Sequence, residues 1–178
     1  MNSSVEHSIE ERAAAVRAII LDVDGVMTNG QIGFSQQGTI KFFNVRDGHA
    51  IKMAMREGLM IGFLSGRADA VTQARGEELG LSFIYTGQKV KMVAFEEILK
   101  DFDLKPEECL YMGDDVVDIP VMRKVGLAVT VADADEEVVP YAHLQTAANG
   151  GEGAVREAIT LVMKAKGLWQ KAMSRYVD

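Results

Sequence analysis

Ala18-Ile-Ile-Leu-Asp22-Val-Asp24-Gly25 opens on a continuously apolar, β-branched run that stops at an aspartate. Such a run is expected of a strand buried on both faces of a sheet, here Ala18 to Val23. Leu59 to Leu64, Leu81 to Tyr85, Cys109 to Met112 and Leu127 to Val131 repeat the pattern. Amphipathic stretches lie between and after them: Gly48 to Glu57, Asp69 to Leu79 with Gly80 as a C-cap, Val90 to Asp101, and Val116 to Val125 before Gly126. Strands alternating with helices predict parallel β-α-β units in an α/β doubly wound sheet. One segment breaks the alternation. Gln31–Phe34 and Thr39–Phe43 flank the turn residues Ser35-Gln-Gln-Gly38, which predicts a β-hairpin, about 29–44, inserted after the first strand. A last helix is expected over Glu152 to Lys166, followed by a tail from Gly167 that contains Trp169 and Tyr176.

The bounds set by composition are consistent with one domain over 1–178. The chain has 178 residues, 48% hydrophobic and 25% charged, enough for one full core and short for two. No apolar run reaches the length of a membrane span. Met1 to Arg17 is polar and acidic, unlike a secretory signal, and the single cysteine, Cys109, has no internal partner for a disulfide, so a reducing cytoplasmic setting is expected. A net charge of −7 argues against nucleic acid. It also means that an anionic ligand needs a metal ion or a few placed cations.

Four strand ends carry chemistry. Along an extended chain Asp22 and Asp24 face the same side, and two such carboxylates repel unless a cation or proton separates them. A hard divalent ion such as Mg²⁺ prefers oxygen ligands and suits that pair. Asp22 is then placed to attack phosphorus, and Asp24 to protonate a leaving oxygen and later deprotonate a water. Ser65-Gly66-Arg67 ends the second strand, where a hydroxyl and free N–H groups suit a phosphate oxygen and a guanidinium suits a carboxylate. Lys91 falls in the first turn of a helix, against the helix dipole, which makes sense if it faces an anion; Lys89 is its rival. Gly113-Asp114-Asp115-Val-Val-Asp118 adds carboxylates at the fourth strand end. Singly, each reads equally well as a turn, an N-cap or a solvated charge. Together they converge on one point if the first strand lies between the second and the fourth.

In that order, D-x-D-G, S-G, a lysine and G-D-D-x-x-D resemble the haloacid dehalogenase superfamily. DVDGVMTNG, FNVRDGHAIKM, LSGR, GQKVK, YMGDDVVDIPVM and GGEGAVRE further resemble the 3-deoxy-D-manno-octulosonate 8-phosphate phosphatase family, from about Ala18 to Lys166. The resemblance implies a Rossmann-like haloacid dehalogenase fold without a separate cap domain. It implies a phosphoric monoester hydrolase of lipopolysaccharide precursor synthesis that works through an aspartyl-phosphate. Asp22 is the implied nucleophile and Asp24 the general acid/base. Mg²⁺ is held by the Asp22 carboxylate, the Asp24 carbonyl and the Asp114 carboxylate, with Asp115 or Asp118 helping through water. Ser65, Gly66 and Lys91 hold the phosphoryl group, and Arg67, Arg46 and the Gly48 backbone face the sugar acid. It also implies a homotetramer assembled through the hairpin, each site covered by a neighbouring subunit. Two alternatives stand beside it: a phosphatase of the same subfamily acting on a nine-carbon sugar acid 9-phosphate, and a non-catalytic binding or assembly protein. The joint presence of Asp22, Asp24, Lys91 and Asp114 favours catalysis over the latter.

Overall fold

The computed structural model describes residues 7–177, so the first six residues of the acidic N-terminal stretch, and Asp178, lie outside it. Strands β1 (Ala18–Leu21), β4 (Met60–Leu64), β5 (Phe83–Tyr85), β6 (Cys109–Gly113), β7 (Leu127–Thr130) and β8 (Leu144–Gln145) form one sheet in the order β5-β4-β1-β6-β7-β8, every pair parallel. β1 therefore sits between β4 and β6, the flanking arrangement on which convergence of the strand ends depends. The order reverses at β1, and the crevice beyond its carboxyl end is where a ligand site is expected in such sheets.

The continuous apolar runs are explained by helices on both faces. Alternate side chains of β1 point opposite ways. Ile19 and Leu21 join the core shared with α1 (Ile9–Ala15), α2 (Val45–Arg56) and α6 (Ala154–Ala165), through Ala13, Ile51 and Ile159. Ala18 and Ile20 join the opposite core with Phe95 and Ile98 of α4 (Lys91–Asp101) and Val121 of α5 (Ile119–Met122). Each fully buried isoleucine, leucine, valine or phenylalanine among these contributes about 1.5–3 kcal/mol. α3 (Ala70–Leu79) follows β4, starts at the Asp69 N-cap and ends at Gly80.

Several boundaries differ from the sequence reading. The hairpin is shorter, pairing only β2 (Gly33–Ser35) with β3 (Gly38–Ile40), because Lys41 leaves the ladder and buries its side chain. The helix expected over 116–125 is a 3-10 turn, Val116–Asp118, followed by the four-residue α5, with Pro120 unable to donate a backbone hydrogen bond. α1, capped by Ser8 and Glu11 in a reciprocal box, and the two-residue β8 were not expected. The tail forms α7 (Trp169–Val177), held by Lys171 to Glu57 and by the Tyr176 hydroxyl to His49 and Arg56. Among the described residues, no helix is long and apolar enough to cross a membrane.

Candidate active site

A cavity of about 540 Å³ opens beyond the carboxyl end of β1, lined by Asp22, Asp24, Ser65, Gly66, Arg67, Lys91 and Asp114, with Gly30, Asp115 and Val117. Each side chain is carried there by the loop that follows a strand or by the first turn of the next helix, so the sheet register sets their spacing.

Asp22 is buried, its Oδ1 accepts the Val23 N–H at 2.7 Å, and its Oδ2 lies 2.8 Å from Lys91 Nζ. Lys91 also donates to Asp118 Oδ1 at 2.6 Å. Asp118 is saturated with donors: the Tyr111 hydroxyl reaches the same oxygen at 2.6 Å, and the Asp114 and Asp115 N–H groups reach Oδ2 at 3.0 and 3.2 Å. Its role is to hold Lys91 and the β6 loop in place. Asp115 caps the 3-10 turn through the Val116 N–H. Lys91 thus lines the cavity beside Asp22, while Lys89 is exposed and absent from the lining.

The local charge balance calls for a cation. Carboxylate oxygens of Asp22, Asp114 and Asp118 lie within 4.8 Å of one another, and one lysine touches two of them. Burial, and then the neighbouring Asp118 charge, pushes the Asp22 carboxyl up to about 7 despite Lys91. Burial and the Asp22 and Asp118 charges push Asp114 up to about 8. Burial works against the Lys91 ammonium, but the Asp22 and Asp118 carboxylates outweigh it and hold the group above its ordinary range. Asp114 Oδ1 is buried with no hydrogen-bond partner. An unpartnered buried carboxylate oxygen beside another carboxylate is suited to a hard divalent cation, which would reverse both upward shifts. Gly25, at φ +88°, lets the chain turn away after Asp24, and a Cβ there would overlap the Asp114 carboxylate. The Gly150-Gly151 segment seats against Gly25 and Thr28, where side chains would clash with backbone, so the distant glycine motif braces the same loop.

Ser65 is buried, its hydroxyl accepting the Arg67 N–H at 3.3 Å. Arg67 is half exposed, with Nε 3.3 Å from Asp24 Oδ2. Arg46 and Gly48 do not join this group. Arg46 is exposed on α2, and Gly48 is helical, its N–H bonded to the Asn44 carbonyl and its α-carbon turned to Arg75 and Leu79 of α3. Their neighbour Asp47 accepts the Arg156 N–H at 2.7 Å, so this motif caps α6. His49 bonds Tyr176. Lys41, unnoticed in the sequence, reaches Asp24 Oδ1 at 2.7 Å with its side chain fully buried. Its only sequence signal is a charge in an apolar hairpin strand, Ile40-Lys41-Phe42-Phe43.

Paired acidic strand ends with a lysine and a serine around one crevice define a haloacid dehalogenase-like hydrolase, and a model of that family matches residues 73–159. The 3-deoxy-D-manno-octulosonate 8-phosphate phosphatase of Yersinia pestis is 42% identical over 163 residues, 91% of this chain and 87% of that protein. The Escherichia coli K12 protein of the same name is 38% identical over 97% of this chain and 93% of its own length. The chain belongs to the 3-deoxy-D-manno-octulosonate 8-phosphate phosphatase family. The crystal structure of the Moraxella catarrhalis phosphatase in complex with magnesium, phosphate and KDO superposes with a TM-score of 0.91 at 30% identity, covering 94% of this chain and 97% of that one.

Proposed function

We propose that this chain is a Mg²⁺-dependent phosphatase that hydrolyses 3-deoxy-D-manno-octulosonate 8-phosphate to the sugar acid and phosphate, in the cytoplasmic supply of lipopolysaccharide precursor. The observation that carries it is the contact of Lys91 with Asp22 beside the unpartnered oxygen of Asp114. That grouping fits a nucleophile, a phosphoryl-oxygen cation and a metal ligand around one point. The names of the relatives favour the eight-carbon acid over a nine-carbon one.

Asp22 attacks phosphorus and takes the phosphoryl group as an acyl phosphate. Lys91 and the Ser65-Gly66 turn hold the equatorial oxygens as charge spreads over them. Asp24 gives a proton to the departing sugar oxygen and takes one from the water that attacks the phosphoaspartate. Arg67 leaves Asp24 to meet the carboxylate of the sugar acid in a forked contact. Asp22, Asp114 and the Asp24 carbonyl would hold Mg²⁺, which when bound neutralises charge on the carboxylates and the phosphoryl oxygens.

Phosphate release from a panel of eight- and nine-carbon sugar-acid phosphates tests the assignment. Turnover is expected to be fastest on the eight-carbon compound and lost on adding a chelator. Preference for the nine-carbon ester, or turnover indifferent to chelation, would refute it. Arg67→Ala is expected to lower kcat/KM about 100-fold on the sugar-acid phosphate and less than about 5-fold on a simple aryl phosphate, since only the former offers a carboxylate. Equal losses on both would show the carboxylate lies elsewhere.

The hairpin is proposed to assemble a homotetramer. Phe34 is 82% and Phe42 81% exposed, an apolar surface that one chain leaves uncovered. Sedimentation at micromolar concentration should give four chains for the native protein and smaller species for Phe34→Asp; a monodisperse monomer would contradict this.

A further inference from the structure

Lys41 directly follows β3, and its side chain has no exposed surface. A buried ammonium is unfavourable unless it is paired and hydrogen-bonded. Lys41 Nζ donates to Asp69 Oδ2 at 2.7 Å and to Thr72 Oγ1 at 3.1 Å, and it lies 2.7 Å from Asp24 Oδ1 as an ion pair outside hydrogen-bond geometry. Asp69 is itself fixed, because it is the N-cap of α3: its Oδ1 accepts the Thr72 N–H at 2.7 Å and its Oδ2 the Thr72 hydroxyl at 3.2 Å. The ammonium is therefore tied to a rigid helix start on one side and to a single oxygen of Asp24 on the other.

This has a consequence for Asp24. Its Oδ1 is buried against Lys41, whereas its Oδ2 is approached by the half-exposed Arg67 at 3.3 Å. The ammonium fixes which oxygen is turned inward and leaves Oδ2 as the one on the side of the cavity that Asp24 and Arg67 line. We propose that Lys41, anchored by Asp69 and Thr72, is a positioning residue that holds Asp24 with Oδ1 turned inward and Oδ2 presented to the cavity as the oxygen that carries the transferable proton. The assignment rests on the reading of Asp24 as general acid/base. In the first half-reaction the proton on Oδ2 passes to the ester oxygen. The phosphorus–oxygen bond breaks, its electron pair stays on that oxygen, and phosphorus bonds to Asp22. In the second, water attacks phosphorus and gives a proton back to Oδ2, and the bond from phosphorus to Asp22 breaks with its pair returning to the carboxylate.

A lysine that merely staples the loop to α3 would, when removed, slow all substrates alike. A lysine that orients the proton donor matters most where the leaving oxygen needs a proton. The test compares, in the full chain with Mg²⁺, kcat/KM on p-nitrophenyl phosphate, whose leaving group departs as a stable anion, with that on the best alkyl ester of the sugar-acid panel. For Lys41→Met, about 100-fold or more is expected to be lost on the alkyl ester and less than about 10-fold on the aryl ester, within the range of general acid catalysis. Asp69→Asn keeps an oxygen for the α3 cap but weakens the anchor, and should shift the same ratio about 3- to 10-fold in the same direction, through orientation alone. If Lys41→Met does not fold, Asp69→Asn decides by that ratio. An unchanged ratio in the folded variants overturns the role of Lys41 and leaves the phosphatase reading standing. A wild type that cleaves neither ester overturns both.

Discussion

Asp22→Asn is expected to reduce phosphate release by at least about 10³-fold, the scale on which losing a covalent nucleophile is felt, while the chain folds normally. The amide cannot take up the phosphoryl group, yet it keeps the shape of the side chain and an oxygen for the Val23 N–H. Burial and the Asp118 charge already disfavour the ionised form of Asp22. A neutral replacement therefore relieves as much as it removes, and the metal-free melting temperature is expected at or above that of the wild type. Single-turnover phosphate release and a thermal melt on the same preparation check both parts. Substantial turnover in the variant would contradict nucleophilic attack by Asp22. A collapsed melt would mean that the Asp22–Lys91 contact is structural first.

Lys91→Met is expected to cost about 10²–10³-fold or more in kcat, as removal of a pre-aligned cation from a phosphoryl oxygen does. It carries a second expectation that an ordinary surface lysine would not. Without the ammonium, the carboxylates of Asp22, Asp114 and Asp118 remain within 4.8 Å of one another with Asp118 still bonded to Tyr111 and two backbone N–H groups. The apo fold then loses stability, and a divalent cation gains more by binding. The rise in melting temperature on adding Mg²⁺ should be larger in the variant than in the wild type. Activity within about 10-fold of wild type would remove Lys91 from the phosphoryl site. A smaller Mg²⁺ shift would argue against a metal among these carboxylates.

Legibility in the sequence followed the physics of each element. Strands buried on both faces announce themselves as apolar runs, so β1, β4, β6 and β7 were readable, and the acidic or small residues at their ends stood out against them. Asp22, Asp24, Ser65, Gly66, Arg67, Lys91 and Asp114 all line one cavity for that reason. The α1 capping box at Ser8 and Glu11 was present in the sequence, but the helix is only seven residues long and its apolar face is weak. β8 is two residues and has no periodicity to read.

Side chains that act by reaching across the fold were the ones hidden. Lys41 sits in a hairpin and meets Asp24 only because the chain folds back over α3. Asp118 reads as one more metal-side carboxylate and stands in that cluster, but its second task, anchoring Lys91 through a set of four donors, has no sequence signal. Arg46 and Gly48, grouped with the site by a motif, stand apart because α2 turns that motif to α3 and α6, where Asp47 caps a helix end.

The most direct measurement is a crystal structure of the protein soaked with Mg²⁺ and beryllium trifluoride, a mimic of a phosphoryl group on a carboxylate. Expected is beryllium bonded to an Asp22 oxygen, Lys91 on a fluorine, and one ion bridging Asp22 and Asp114. A fluoride adduct seated on any other side chain, or no ion between those two aspartates, would contradict it.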